Sequence, residues 1–208
     1  MSWRGLVAVV ALLTAGIAGG FATAAWLQSS PVTTGAPEPV TASDPSFPPP
    51  TSVKRDLPHP ALETGLAMRE VSLGTDNYKF VFPAPRGWSR LETSSNEVKY
   101  KLTGNPSNTY VLRVEQVISQ HEQIPDMVQE RVGDLRRDEE QVRVLYRTHD
   151  QLEVSYVHDD YRRFALYTWL DVTRSGQAEA EIAVTGRKKD MAGMRELMVK
   201  VIRGLDAG

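Results

Sequence analysis

A long uncharged run near the N-terminus most constrains how this chain can fold. Twenty-three consecutive residues without a charge extend from Gly5 to Leu27, GLVAVVALLTAGIAGGFATAAWL. At about 1.5 Å per residue, a helix of this length reaches about 34 Å, which is enough to cross the hydrocarbon core of a bilayer. We therefore expect residues 1–28 to form a transmembrane signal-anchor.

The charges around this run predict its orientation. Arg4 is the only charge before it, and the first charge after it is Glu38. The positive-inside rule then places the short N-terminus in the cytoplasm and the rest of the chain outside, as in a single-pass cell-membrane protein. Trp3 and Trp26 lie at the two ends, where indole rings favour the membrane interfaces. Trp3, Arg4 and Trp26 are thus the predicted membrane-interface residues.

A cleaved signal peptide is the alternative interpretation of the same run. Ala22-Thr23-Ala24 is an acceptable small-residue cleavage site after an apolar core, and cleavage there would secrete the protein. The run is longer than the 7–15 residues of a usual signal-peptide core, which favours the uncleaved anchor.

The next segment, residues 29–63, has the composition of a disordered stalk. Nine of the thirteen prolines fall between Pro31 and Pro60, among Ser, Thr, Ala and Gly. Such a stretch buries too little apolar surface to form a core, and Pro48-Pro49-Pro50 favours extended polyproline II. We therefore expect the folded domain to occupy residues 64–208.

Within that domain, hydrophobic periodicity predicts an α+β fold. Short connections between the later strands predict an antiparallel meander, so the fold class is an antiparallel sheet of about six to seven strands packed with two main helices. One helix should begin near Pro125, and the second should place the apolar stripe from Met191 to Leu205 against the sheet. The predicted strands are Tyr78–Phe82 (ended by Pro83 and Pro85), Glu97–Thr103, Thr109–Ile118, Val142–Thr148, Gln151–Val157, Tyr161–Thr173 and Ala178–Thr185.

This order of elements, opened by a strand that runs into Phe82-Pro83-Ala84-Pro85-Arg86-Gly87-Trp88, resembles the PsbP-like superfamily. Its members include an extrinsic photosystem II subunit, a Ran-binding import factor and actinobacterial lipoproteins of the LpqN type. The resemblance implies an α/β/α sandwich that serves as a binding or accessory module, and it carries over no catalytic residue. The lipoproteins use a lipid-bearing cysteine that this chain lacks, so the anchor helix would replace the lipid.

Composition excludes several classes of function. The chain has no cysteine and a formal net charge of −2. Disulfide scaffolds and thiolate zinc sites are therefore ruled out, and the charge gives no electrostatic argument for nucleic acid as a partner. Familiar hydrolase, metalloprotease and nucleotide-binding motifs are missing from the sequence, and we expect no cofactor.

Two histidines could nevertheless take part in a metal site. A strand–helix–strand crossover would return the chain so that the ends of Thr109–Ile118 and Val142–Thr148 share one edge of the sheet. His121, with Glu122, would then approach His149 and Asp150, a ligand set that suits zinc or another divalent ion. Polar loop residues at strand ends are the ordinary alternative.

Aromatic residues on the longest predicted strand form the candidate binding patch. Tyr161, Arg163, Tyr167 and Trp169 alternate on one face of it. If that face is uncovered, aromatic rings flanked by arginine could anchor a partner or an apolar ligand. If the first helix covers it, both Tyr167 and Trp169 belong to the core.

These observations predict a membrane-anchored, non-catalytic binding or accessory module of the cell envelope, with an envelope protein or an apolar ligand as its partner. The alternative is a small-ligand or lipid carrier with a pocket between helix and sheet, lined by Met191, Met194 and Met198. A metal-assisted enzyme that uses His121 and His149 is the third possibility.

Overall fold

The structure is a computed structural model that describes residues 52–75, 78–118 and 123–207. In those residues the chain forms two α-helices, α1 (Ile124–Asp138) and α2 (Met191–Gly204), and ten strands. The strands are β1 (Met68–Thr75), β2 (Tyr78–Pro85), β3 (Trp88–Glu92), β4 (Glu97–Leu102), β5 (Val111–Gln116), β6 (Glu140–Arg147), β7 (Gln151–His158), β8 (Tyr161–Leu170), β9 (Ala180–Gly186) and β10 (Asp206–Ala207).

Seven strands form the main sheet in the order β3-β4-β5-β9-β8-β7-β6, and all neighbours in it are antiparallel. The predicted meander from β6 to β9 is confirmed. Its last strand, β9, also pairs with β5, which joins the meander to the earlier hairpins. The α+β class with an antiparallel sheet and two helices is therefore what the structure shows.

The other three strands form a separate small sheet in the order β1-β2-β10. The expected end of β2 at Pro83 was wrong, because the strand continues through Pro85 while paired with β1. Proline lacks an amide donor and is tolerated where one side of a strand has no neighbour. β10 pairs with β2 only at Phe80 and Val81, so among the described residues the proline-bearing end of β2 has no strand on that side.

Helix α1 covers one face of the main sheet. Pro125 occupies its first turn, where the missing amide hydrogen costs nothing, and Asp126 complements the positive end of the helix dipole. Val128, Val132 and Leu135 are the residues that it buries. They join a core cluster with side chains of β7, β8 and β9.

Helix α2 and the small sheet cover parts of the opposite face. The predicted stripe lies against the sheet: Met194, Leu197 and Val201 are buried in a core that also contains residues of β5 and β9. α2 packs over β9 and β8 and against β2. The small sheet packs beside it, with the Phe82 ring edge-on to Tyr100 of β4 at a centroid distance of 6.2 Å.

Residues 53–62, which we call the strap, lie on this folded unit. The Arg187 guanidinium donates to the backbone carbonyls of His59 and Pro60, at 3.2 and 2.7 Å, and is held by the Asp190 carboxylate at 2.8 Å. Asp190 also accepts the backbone amide of Leu62 at 2.9 Å. The expected domain boundary at Thr64 therefore falls inside the folded unit, because a fully buried ion pair ties the preceding residues to it.

The predicted membrane-interface residues Trp3, Arg4 and Trp26, with the uncharged run between them, lie outside the described residues. In the part of the chain that the structure describes, no helix is both long enough and apolar enough to cross a membrane.

Candidate binding groove

The predicted aromatic patch is placed under helix α1. Tyr167 is 7% exposed and Trp169 is 1% exposed, and their rings stack with centroids 6.0 Å apart. The Arg131 guanidinium of α1 lies over the Tyr167 ring, 5.5 Å from its centroid. The second interpretation of this strand, in which the rings belong to the core, agrees with this placement. The role of Tyr167 and Trp169 in binding stays a prediction, and the burial of both rings argues against it.

The other two residues of the patch lie towards the strap. Tyr161 is half-buried and pairs with Lys54 in an isolated bridge. Arg163 is 8% exposed and donates from Nη2 to the Thr109 carbonyl at 3.1 Å, while its Nη1 has no partner among the described residues. Burial lowers the pKa of the Arg163 guanidinium, and the attraction of Tyr156 and Asp56 partly offsets that effect. Arg163 is therefore a buried structural cation rather than a surface anchor.

A charged network lies beside these rings at the edge of α1. Glu181 of β9 is buried, and its carboxylate accepts hydrogen bonds from Arg113 of β5 and from Arg131, the latter at 2.7 Å. Arg113 also contacts Glu97 and Glu115, at 2.9 and 2.8 Å. Burial is the largest single effect and opposes ionisation of Glu97, but the hydrogen bonds from Arg113, Thr93 and Lys99 and the attraction of Arg113 together outweigh it and hold the pKa of that carboxyl below its ordinary value. The network joins α1 to the sheet, because Arg131 of α1 and Arg113 of β5 share the Glu181 carboxylate.

The strand order separates the two strand ends that the metal hypothesis brings together, and the site itself stays a prediction. β5 and β6 point in the same direction, as expected for a crossover, but β9, β8 and β7 lie between them. At about 4.8 Å per strand, the two strand ends are about 19 Å apart, so they do not converge. His121 and Glu122 lie outside the described residues.

The remaining members of that hypothesis form only a pair. His149 Nδ1 lies 3.5 Å from the Asp150 carboxylate, and the His149 side chain is largely exposed. Among the described residues there is no group of three or more His, Asp or Glu side chains that could hold a metal ion.

The surface that sequence reasoning missed lies where α2 leaves part of the sheet uncovered. α2 packs over β9 and β8, and the same face of β7 and of the edge strand β6 borders an open groove. Leu145 and Tyr146 of β6 are 48% and 54% exposed, and Val199 of α2, across the groove, is 43% exposed. Large apolar side chains therefore rim the groove on both sides.

One end of the groove is apolar. It is a pocket of about 300 Å³ beside the C-terminal half of α2. The apolar side chains in its walls belong to α2, β6 and β8, and polar groups lie among them. Those apolar side chains are Tyr146, Leu166, Met198, Val199 and Ile202; Leu152 and Tyr167, whose side chains are buried in the α1 cluster, also border the pocket.

The other end is basic and has a volume of about 620 Å³. Phe164, Met191 and Leu145 contribute its apolar surface. Four cations and one carboxylate surround them, a local excess of three positive charges in a chain whose net charge is −2. These charged residues are Arg143, Arg162, Lys188, Arg195 and Glu153.

An ion pair marks the junction of the two ends, because Arg195 and Glu153 line both. The Arg195 guanidinium lies 3.0 Å from the Glu153 carboxylate. Arg162 is bonded to the neutral side chain of Gln141. Within the described part of the chain, Arg143 and Lys188 have no carboxylate partner, so their charges remain available to a ligand.

The three methionines predicted to line one pocket lie in three different parts of the structure. Met194 is fully buried in the core between α2 and the sheet. Met198 lines the apolar end and Met191 lines the basic end of the groove.

Sequence reasoning missed Tyr146 because β6 is irregular. Alternation predicts Val144 and Tyr146 on one face of the strand. In the structure Val144 pairs with Val154, on the α1 side, whereas Tyr146 pairs with Glu153, on the α2 side. A bulge between Val144 and Tyr146 supplies the extra residue that reverses the face. The signal in the sequence was the run of three adjacent apolar residues, Val144, Leu145 and Tyr146, because such a run cannot place all its side chains on one buried face of a strand.

Comparisons with known proteins do not identify the chain. No protein-family model matches it, and no curated protein matches it.

Proposed function

We propose that this protein is a non-catalytic binding or accessory module of the cell envelope and that the groove beside α2 is its binding surface. The observation that carries the proposal is the apolar rim formed by Leu145, Tyr146 and Val199. Exposed apolar side chains on both sides of a concave surface are typical of an interaction site, because water-exposed apolar area is otherwise unfavourable.

A binding role fits the chemistry of the groove better than catalysis does. Glu153 is the carboxylate among the lining residues, and the Arg195 guanidinium engages it at 3.0 Å. Most of the lining of the apolar end is aliphatic or aromatic, which suits retention of a partner.

The proposed location and fold family rest on different observations. The uncharged run from Gly5 to Leu27 supports a single membrane anchor with the folded domain outside, and cleavage after Ala24 would instead secrete the domain. The PsbP-like α/β/α arrangement is supported by the order of the elements, with α1 on one face of the main sheet and α2 on the other.

Single-cysteine labelling tests the location and the binding role together, because the chain has no cysteine of its own. Tyr146→Cys places a thiol in the groove, and Leu91→Cys is the matched control on β3, at the opposite edge of the sheet, where Leu91 is 51% exposed. A membrane-impermeant maleimide should label Leu91→Cys in intact cells. It should label Tyr146→Cys much more slowly in cells than in the purified full-length chain, because a partner covers the groove.

Equal labelling of the two thiols in cells would contradict the binding role. Labelling of both only after the membrane is permeabilised would contradict the extracytoplasmic location.

A small-ligand or lipid carrier is the second candidate, and the apolar pocket of about 300 Å³ favours it. That volume is at the lower end of the range of small-molecule sites. Native mass spectrometry of the full-length chain in nanodiscs tests it: a carrier should show an added mass that is lost in Met198→Asp. A chain that carries no added mass after lipid extracts are supplied would exclude the carrier.

A further inference from the structure

The uncovered part of the sheet has the width of one helix. α2 lies over β9 and β8, and β7 and β6 extend beyond it to the sheet edge. Two strands at about 4.8 Å spacing span about 10 Å, which matches the diameter of an α-helix with its side chains. A second helix beside α2 would complete this layer and would lie between Tyr146 and Val199.

The charges around this space indicate which charged side chains such a helix should carry. Arg143 on β6 and Lys188 before α2 have no carboxylate partner among the described residues, and Arg162 is bonded only to the neutral Gln141. Acidic side chains of a ligand would supply the missing partners. Basic side chains would add to the local excess of positive charge at the groove.

We infer that the groove receives an acidic amphipathic helix of a protein partner, which lies beside α2 with its apolar face on Leu145, Tyr146 and Val199. This inference rests on the proposed function and specifies the partner. An apolar stripe at helical spacing would fill the apolar end, and Glu or Asp on the flanks would meet Arg143 and Lys188.

An added β-strand fits the sheet edge less well than a helix fits the groove. Register shifts interrupt β6 between Glu140 and Arg143 and between Val144 and Tyr146, and Gln141 has a positive φ of 49°. Bulges of this kind break the regular row of backbone donors and acceptors that strand addition needs.

A flat lipid surface also fits less well. The cations and the apolar side chains line a concave space between α2 and the sheet, so a planar bilayer would contact the exposed rim residues without filling that space. A convex helix contacts the rim residues and also fills the space between α2 and the sheet.

Two designed peptides test the inference on the full-length chain in nanodiscs of zwitterionic lipid. Each peptide has about 14 residues, long enough to match α2 at about 21 Å, with leucine at helical spacing. Glutamate fills the other positions in the first peptide and lysine fills them in the second. Fluorescence anisotropy should show saturable binding of the glutamate peptide, weakened by added salt, and at least tenfold weaker binding of the lysine peptide.

Charge reversal locates the binding. The double variant Arg143→Glu/Lys188→Glu should raise the Kd of the glutamate peptide about tenfold or more. Arg55→Glu/Arg136→Glu is the matched control, because both of these arginines are exposed and neither lines the groove. The control should leave the Kd within about twofold. Circular dichroism of both variants verifies that each remains folded.

Several outcomes would overturn the inference. These are failure of the glutamate peptide to bind, equal binding of the two peptides, or an equal loss of affinity in the control variant. Binding of monomeric dodecyl phosphate in place of the peptide, with the same dependence on Arg143 and Lys188, would assign the groove to an anionic lipid.

The labelling experiment separates this inference from the proposed function. If Tyr146→Cys is protected from the maleimide in cells and the glutamate peptide does not bind, the proposed binding role stands and the acidic helix is wrong. If Tyr146→Cys is not protected, the proposed function fails as well.

Discussion

Two halves of one sheet face differ in how they are covered. Towards β4 and β5, the small sheet and α2 bury the inward side chains, and Val98, Leu112 and Val114 are fully inaccessible. Towards β6, the same face exposes Leu145 and Tyr146 to solvent. The two halves belong to one continuous antiparallel sheet.

This difference indicates that the covered half of the sheet face stabilises the fold and that the uncovered half serves binding. The covered half resembles an ordinary core, in which removing a side chain leaves a cavity. The uncovered half contributes little to folding, since its large side chains are already in water. Substitutions in the first should therefore change the free energy of unfolding, and substitutions in the second should change binding.

Trp169→Ala should have the largest effect on stability. Trp169 is buried under α1, so its removal should lower the free energy of unfolding by about 3–5 kcal/mol. Chemical denaturation of the full-length chain measures this loss, and peptide binding to the groove, measured below the unfolding midpoint, should be unchanged. A variant that keeps its stability and loses binding would return Trp169 to the predicted binding patch.

Asp190→Asn should come next, because it removes one partner of the buried ion pair that holds the strap. Leaving Arg187 without its counter-charge should cost about 3 kcal/mol or more. Thermal denaturation measures the loss, and Asp138→Asn, at an exposed aspartate of α1, is the control.

The same pair predicts a pH dependence. Burial would raise the pKa of the Asp190 carboxyl, but the hydrogen bonds from Arg187 and Leu62 outweigh it and hold that pKa below its ordinary value. A lowered carboxyl pKa stabilises the fold fully at pH values above the ordinary pKa of about 3.9 and loses this contribution as the pH falls towards the folded-state pKa. The stability difference between the wild type and Asp190→Asn should therefore shrink below about pH 4. A difference that is constant from pH 7 to pH 3 would contradict this account.

Alanine substitutions at two helix glycines should have smaller effects on the free energy of unfolding, and the two sites serve as a matched pair. A methyl group added at Gly193 of α2 would overlap the carbonyl and the side chain of Leu62 in the strap, whereas one added at Gly133 of α1 meets open space. Gly193→Ala should cost about 1–3 kcal/mol, and Gly133→Ala should stabilise by about 0.5–1 kcal/mol through the better helix propensity of alanine. Equal effects in denaturant titrations would show that the strap does not pack against α2.

Tyr146→Ser should have the smallest effect on stability. Its side chain is 54% exposed, so the free energy of unfolding should change by about 0.5 kcal/mol or less. The affinity for the glutamate peptide should nevertheless fall, because the variant removes a flank of the groove. A large loss of stability would mean that the uncovered half is part of the core.

The sequence predicted the parts of the fold that depend on regular spacing. The stripe through Met194, Leu197 and Val201 indicated α2 and its buried face, and the short connection His149-Asp150 indicated the β6–β7 hairpin. β1 was missed because polar residues such as Arg69 and Glu70 interrupt its pattern. β10 has only two residues and forms through its pairing with β2.

The groove could not be predicted from the sequence for two physical reasons. Arg143 and Lys188 are far apart in the chain, and only the strand order brings them to one concave surface. The bulge in β6 then turns Tyr146 to the face opposite the one that alternation assigns.

Photo-crosslinking in living cells tests the central claim most directly. Benzoylphenylalanine is placed at position 146, in the groove, or at position 91, at the opposite edge of the sheet. The account predicts one discrete crosslinked protein from position 146, identified by mass spectrometry, which disappears when Arg143→Glu/Lys188→Glu is added. It predicts no such product from position 91. The absence of a product from position 146, or the same products from both positions, would contradict the claim that the uncovered half of the sheet is a binding surface.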